Sequence, residues 1–147
     1  MKNIAVALDL SNNSNLLIQE AKTLARATGA KIWLIHIAAP APDFIGYDVG
    51  PKYIREDRAE VLKNEHRALG NFKNTLTDVG VDAEALLIQG PVVQTLLDEL
   101  EKLEIDLLVI GKKGHGLLYR TILGSVFDSV VKKVSIPMLS IPYLEKD

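Results

Sequence analysis

No cysteine occurs among the 147 residues, which excludes disulfides and every thiolate metal site. Aromatic residues make up only 5%, and no apolar run approaches the roughly 20 residues that cross a bilayer. The apolar run behind Met1-Lys2-Asn3 is too short for a signal peptide, so the expected compartment is the cytoplasm, with no direct membrane insertion. Charge of one sign is also missing: 17 basic side chains stand against 19 acidic ones, a formal net charge of −2. That balance lacks the basic footprint of a phosphate-backbone binder, and nucleic acid is not an expected partner. Any anion site must therefore be local.

What is present is a hydrophobic fraction of 48%, distributed in two alternating kinds of segment. Five short runs rich in Val, Ile, Leu and Ala, at 4–8, 31–37, 81–88, 105–110 and 137–141, read as buried strands. Between them lie helical patterns. The first carries Leu17, Ala21, Leu24, Ala25 and Thr28 on one face, with Asn13 or Ser14 as N-cap and Gly29 as its stop. The second, over 52–79, is unusually long and ends at Gly80; the third starts with Pro91 and carries Val92, Val93, Leu96, Leu97, Leu100 and Leu103; the last covers 124–134. Alternating strands and helices imply parallel crossovers, hence an α/β three-layer sandwich, read here as one domain over 1–147. The segment 38–51, with Pro40, Pro42, Gly46, Gly50 and Pro51, can be neither helix nor central strand. It reads as a surface loop or, through Phe44, Ile45 and Tyr47, as a lid over a ligand.

In open parallel sheets ligands bind beyond the carboxyl ends of the strands, where strand order reverses. Asp9 follows the first strand and is expected either to cap its own turn or to meet a ligand. Behind the fourth strand comes Gly111-Lys112-Lys113-Gly114-His115-Gly116. Its glycines permit close backbone approach and its lysines supply charge, a composition suited to phosphate. Further on, Gly124-Ser125-Val126 opens the last helix, whose unpaired N–H groups form an anion site unless Ser125 merely caps the turn. There is no Walker A motif, no Gly-x-Gly-x-x-Gly after the first strand and no Gly-x-Ser-x-Gly elbow. His36, His66 and His115 are too scattered to suggest a metal cluster.

The spacing Gly111-x2-Gly114-x9-Gly124-Ser125 resembles the nucleotide-binding signature of universal stress proteins. The chain from Ile4-Ala5-Val6-Ala7-Leu8-Asp9 to Pro137-Met138-Leu139-Ser140-Ile141 is similar to that family end to end. The resemblance implies a five-stranded parallel sheet of order 3-2-1-4-5 with four helices, placing strands one and four side by side so that Asp9 and Gly111 face each other. It also implies ATP binding, alone or with Mg2+ or Mn2+. Adenine would lie near Ala7, Asp9 and the backbone of Ile37, ribose at Gly111, and phosphates at Gly114, Gly124, Ser125 and Val126. Ala7 departs from the proline of the best-known ATP-binding members, a small change that leaves the pocket open. Lys112, Lys113, His115 and Arg120 fall at variable signature positions; they either touch phosphate or are solvated surface.

No catalytic base, arginine finger or Walker-B carboxylate can be assigned around the phosphates, so the expectation is a regulatory ATP-binding protein rather than an efficient enzyme. The output would be a nucleotide-dependent dimeric switch read by a client protein, such as a membrane transporter. A slow ATPase with Asp9 at the metal or water site is the alternative, and an empty, purely structural dimer the third. In the implied strand order the fifth strand is a sheet edge, which predicts a homodimer through the C-terminal strand or a higher oligomer built on it.

Overall fold

The computed structural model describes residues 1–38, 52–112 and 124–144, with the side chains of 52–56 and 124–125 outside the description. The elements run β1 (Asn3–Ala7), α1 (Ser14–Thr28), β2 (Lys31–Ala38), α2 (Lys52–Asp78), β3 (Ala83–Gln89), α3 (Val92–Lys102), β4 (Leu107–Lys112), α4 (Gly124–Lys133) and β5 (Met138–Pro142). All five strands are parallel, as the alternating pattern predicts, and lie in the order β3-β2-β1-β4-β5 that the resemblance implies.

Side-chain alternation along the strands splits the core into two layers. Ile4 and Val6 of β1, Ile32 and Leu34 of β2, and Leu107 and Val109 of β4 pack with Leu17, Ile18 and Ala21 of α1 and Leu69 and Leu76 of α2. Ala5, Ile35, Leu108 and Ile110 face the other way, onto Leu96 and Leu100 of α3 and Val130 of α4. Because β1 is flanked on both edges and covered on both faces, Ile4, Ala5 and Val6 are fully buried. A strand so enclosed needs apolar residues at every position, which is why the run does not alternate with polar ones.

The element ends follow local backbone chemistry. Gly29 ends α1 in the left-handed region at φ 76°, and its N–H donates to the Ala25 carbonyl at 2.7 Å. Strands three and four start two residues later than the apolar runs suggest. The N–H groups of Val81 and Ile105 turn back to the carbonyls of Leu76 and Leu100, both at 3.0 Å, so these residues serve the ends of α2 and α3 before the ladder begins. Pro91 stands just ahead of α3 as its N-cap rather than within it. At the start of α1, Asn13 occupies the N-cap position without a side-chain capping bond; its Oδ1 accepts the Leu144 N–H at 3.2 Å instead. The fifth strand is shifted by one residue, starting at Met138 and ending at Pro142, which pairs with Lys112. The 38–51 segment, apart from Ala38, lies outside the described residues, and so does its reading as a lid.

Candidate functional site at the β1/β4 switch point

The sheet order reverses between β1 and β4, where Ala7 is in register with Ile110. That is the last pair of the β1/β4 register, and Asp9, Gly111 and Lys112 come just after it at the carboxyl ends of the strands, where open parallel sheets bind ligands. Ala7 ends β1 half-buried, and Ile37, near the end of β2, is half-buried on the same face, packed with the α3/α4 layer. Asp9 follows β1 exposed to solvent. Its Oδ1 accepts the Ser11 N–H at 3.0 Å, an Asx-type turn. Leu10 between them has φ 61°, a left-handed conformation that a branched residue adopts only under strain. The bond from Asp9 across Leu10 holds that strain in place, so Asp9 caps its own turn as one of its two expected roles requires.

From beneath, Asp9 is anchored by its predecessor. The Leu8 N–H donates to the Ile35 carbonyl at 2.8 Å, and the Leu8 carbonyl lies 2.7 Å from His36 Nδ1. The other ring nitrogen of His36, Nε2, meets the Glu65 carboxylate of α2. With oxygen acceptors at both nitrogens, this histidine is a structural brace inside β2 rather than a metal ligand. His66 is exposed on α2, and among the described residues no three His, Cys, Asp or Glu side chains are grouped to hold a metal ion.

Asp9 and Gly111 do not simply face each other across open space. Between them reaches Tyr143, one residue past β5. Its hydroxyl donates to the Asp9 carboxylate and accepts from the Ser11 hydroxyl. Its ring lies against Gly111 so closely that a Cβ there would fall 2.0 Å from Cε1 and 2.3 Å from Cζ. Burial first, then the Asp9 charge and hydrogen bond, push the phenol well above the ordinary tyrosine range, against a smaller opposite pull from Ser11. The hydroxyl therefore stays a neutral donor. Sequence reasoning missed this residue because its place follows from register: Ile141 pairs with Gly111, so Tyr143, two residues on, falls on the same face beside the glycine. An aromatic placed to cover a strand glycine is a recurring device.

Among the other expected site residues, Lys112 ends β4 with an exposed side chain, and its carbonyl accepts the Tyr143 N–H at 2.9 Å. Val126 is half-buried in the α3/α4 layer. Gly124 and Ser125 open α4, which begins on the carboxyl side of the sheet because it must return the chain to the start of a parallel strand. Lys113, Gly114, His115 and Arg120 lie outside the described residues. The structure thus gathers Ala7, Asp9, Ile37, Gly111 and Lys112 at the strand ends, with the first residues of α4 on the same side of the sheet.

This architecture is shared with known proteins. A universal stress protein in complex with cAMP superposes with TM-score 0.68 at 22% identity, covering 95% of either chain. A universal stress protein family protein from Arabidopsis thaliana, with AMP bound, superposes with TM-score 0.66 at 20% identity, covering 98% of this chain and 93% of that one. In sequence, a universal stress protein of Thermus aquaticus is 31% identical over 141 residues, 94% of this chain and 96% of its own length. The model of the universal stress protein family matches residues 1–142, and the chain belongs to that family.

Proposed function

We propose that the chain is an adenine-nucleotide-binding regulatory protein, with ATP the nucleotide and the β1/β4 crevice its site. One observation carries the reading: a braced carboxylate, Asp9, follows β1 at the point where strand order reverses, two residues past the Ala7–Ile110 pair. A carboxylate there accepts hydrogen bonds from base or ribose, while the N–H groups opening α4 suit phosphate. The nucleotides bound by the cAMP and AMP complexes support an adenine nucleotide as ligand. Asp9 is a single carboxylate, so a Mg2+ or Mn2+ ion would rest mainly on phosphate and water oxygens. The output is occupancy rather than turnover, passed to a client protein.

Homodimerisation through β5 belongs to the same proposal. The strand is a sheet edge with Met138, Leu139 and Ile141 only half-buried, and Pro137 and Pro142 bound the length over which a second copy could pair.

Titration calorimetry with ATP tests the site. The parent protein binds, Gly124→Val loses binding because a branched side chain covers the helix N-terminus, and circular dichroism is unchanged. A folded Gly124→Val protein that binds ATP as tightly as the parent contradicts the reading.

A further inference from the structure

Tyr143 is joined to the ligand-site loop more extensively than packing requires. Its hydroxyl bridges Asp9 and Ser11, its N–H donates to Lys112, and the next residue, Leu144, donates its N–H to Asn13 at 3.2 Å. The chain after β5 thereby crosses the end of β4 and fastens the loop that carries Asp9. The ring is half-buried against the α1-side core and fills the space above Gly111, so it cannot leave without opening a gap there. The left-handed Leu10 puts the loop under strain, and among the described residues the Ser11 N–H and the Tyr143 hydroxyl both donate to its carboxylate.

We infer that Tyr143 is a positioning residue of the nucleotide site: its hydroxyl sets the orientation of the Asp9 carboxylate, and Gly111 lacks a side chain in order to admit its ring. The inference rests on the nucleotide-binding reading above. It assigns Gly111 a task separate from ligand contact, and makes the segment after β5 part of the site. A carboxylate held by the Ser11 N–H and the Tyr143 hydroxyl meets the ligand without first being ordered, so removing the hydroxyl weakens binding even where the fold is intact.

The hydroxyl alone is removed in Tyr143→Phe, which keeps the ring over Gly111. AMP and ATP binding to this variant weakens about tenfold, whereas Asp9→Ala and the Asp9→Ala/Tyr143→Phe double variant bind equally weakly, because the phenol acts only through the carboxylate. In the ligand-free protein, the Ser11 amide resonance and the Asp9 carboxyl resonance both shift in Tyr143→Phe. Binding by Tyr143→Phe equal to that of a parent that does bind overturns the positioning role and leaves the proposed function standing. Additive losses in the double variant overturn it too. A parent that binds no adenine nucleotide overturns the proposed function, and the positioning of Asp9 is then decided by the two ligand-free resonances: unmoved, they refute it. Tighter binding by Tyr143→Phe would show the phenol competing with the ligand, and equally refutes it.

Discussion

Gly111→Ala is expected to destabilise the protein for one reason only, the Tyr143 ring. Gly111 is not among the glycines with positive φ, so alanine fits its backbone. An added Cβ would lie 2.0, 2.3 and 2.5 Å from Cε1, Cζ and Oη of Tyr143, against the ~3.5–4.0 Å at which carbon atoms rest in contact. The ring must move by more than 1 Å, roughly the difference between those separations. It cannot do so freely, because its hydroxyl is bonded to Asp9 and Ser11 and its N–H to Lys112. Overpacking of this kind costs about 1–3 kcal/mol. Loss of a hydroxyl bond adds about 1 kcal/mol, and the lower backbone entropy of the unfolded alanine chain returns about 0.4–1 kcal/mol. The net loss is about 1–3 kcal/mol. In a Tyr143→Ala background the three nearest atoms are gone, and the same change is expected to cost much less. Urea denaturation followed through Trp33, the sole tryptophan, at one fixed protein concentration, measures all four corners of the cycle. Equal costs in both backgrounds would refute the claim that Gly111 exists to admit the ring.

Ser14 Oγ is buried without a hydrogen-bond partner among the described residues, so Ser14→Ala is expected to raise stability by about 1 kcal/mol in the same assay. Asp106 accepts the N–H groups of Lys2 and Asn3 at 2.7 and 2.8 Å, which hold its carboxyl below the ordinary 3.8. A depressed carboxyl stabilises above its unfolded value and loses that contribution as pH falls through the folded one, so Asp106→Asn should flatten the decline in melting temperature below about pH 4. If the acid limbs of parent and variant coincide, that bond does not contribute. Leu139→Lys places a charge on the β5 edge and should shift sedimentation equilibrium toward monomer; an unaffected dimer would move the interface elsewhere.

The alternation of strands and helices was legible from patterning: a run such as Ile4-Ala5-Val6 leaves no polar face and must lie inside a covered sheet. The strand order was legible only through the family resemblance, since the crossovers fix parallel strands but not which strands are neighbours. Gly29 and Gly80 marked helix ends for the same local reason, a left-handed backbone. Asp9 was legible by position, as the carboxylate next after the first strand. Tyr143 was not, since its contact with Asp9 joins residues at opposite ends of the chain and depends on the register between β4 and β5, set by packing rather than by neighbours in sequence. The late starts of β3 and β4 were hidden likewise. Val81 and Ile105 are as apolar as the strand residues behind them, and only the carbonyls left over at the ends of α2 and α3 decide where their N–H groups go.

The proposed site for an adenine nucleotide is the crevice between β1 and β4. Titrating ATP into the isotope-labelled protein while following every amide resonance tests it without substitution. Saturable shifts are expected at Asp9, Leu10, Ser11, Gly111 and Lys112 and at the first residues of α4, with little change at the opposite ends of the strands. Saturable shifts confined to another surface, or none at millimolar ATP, would contradict it.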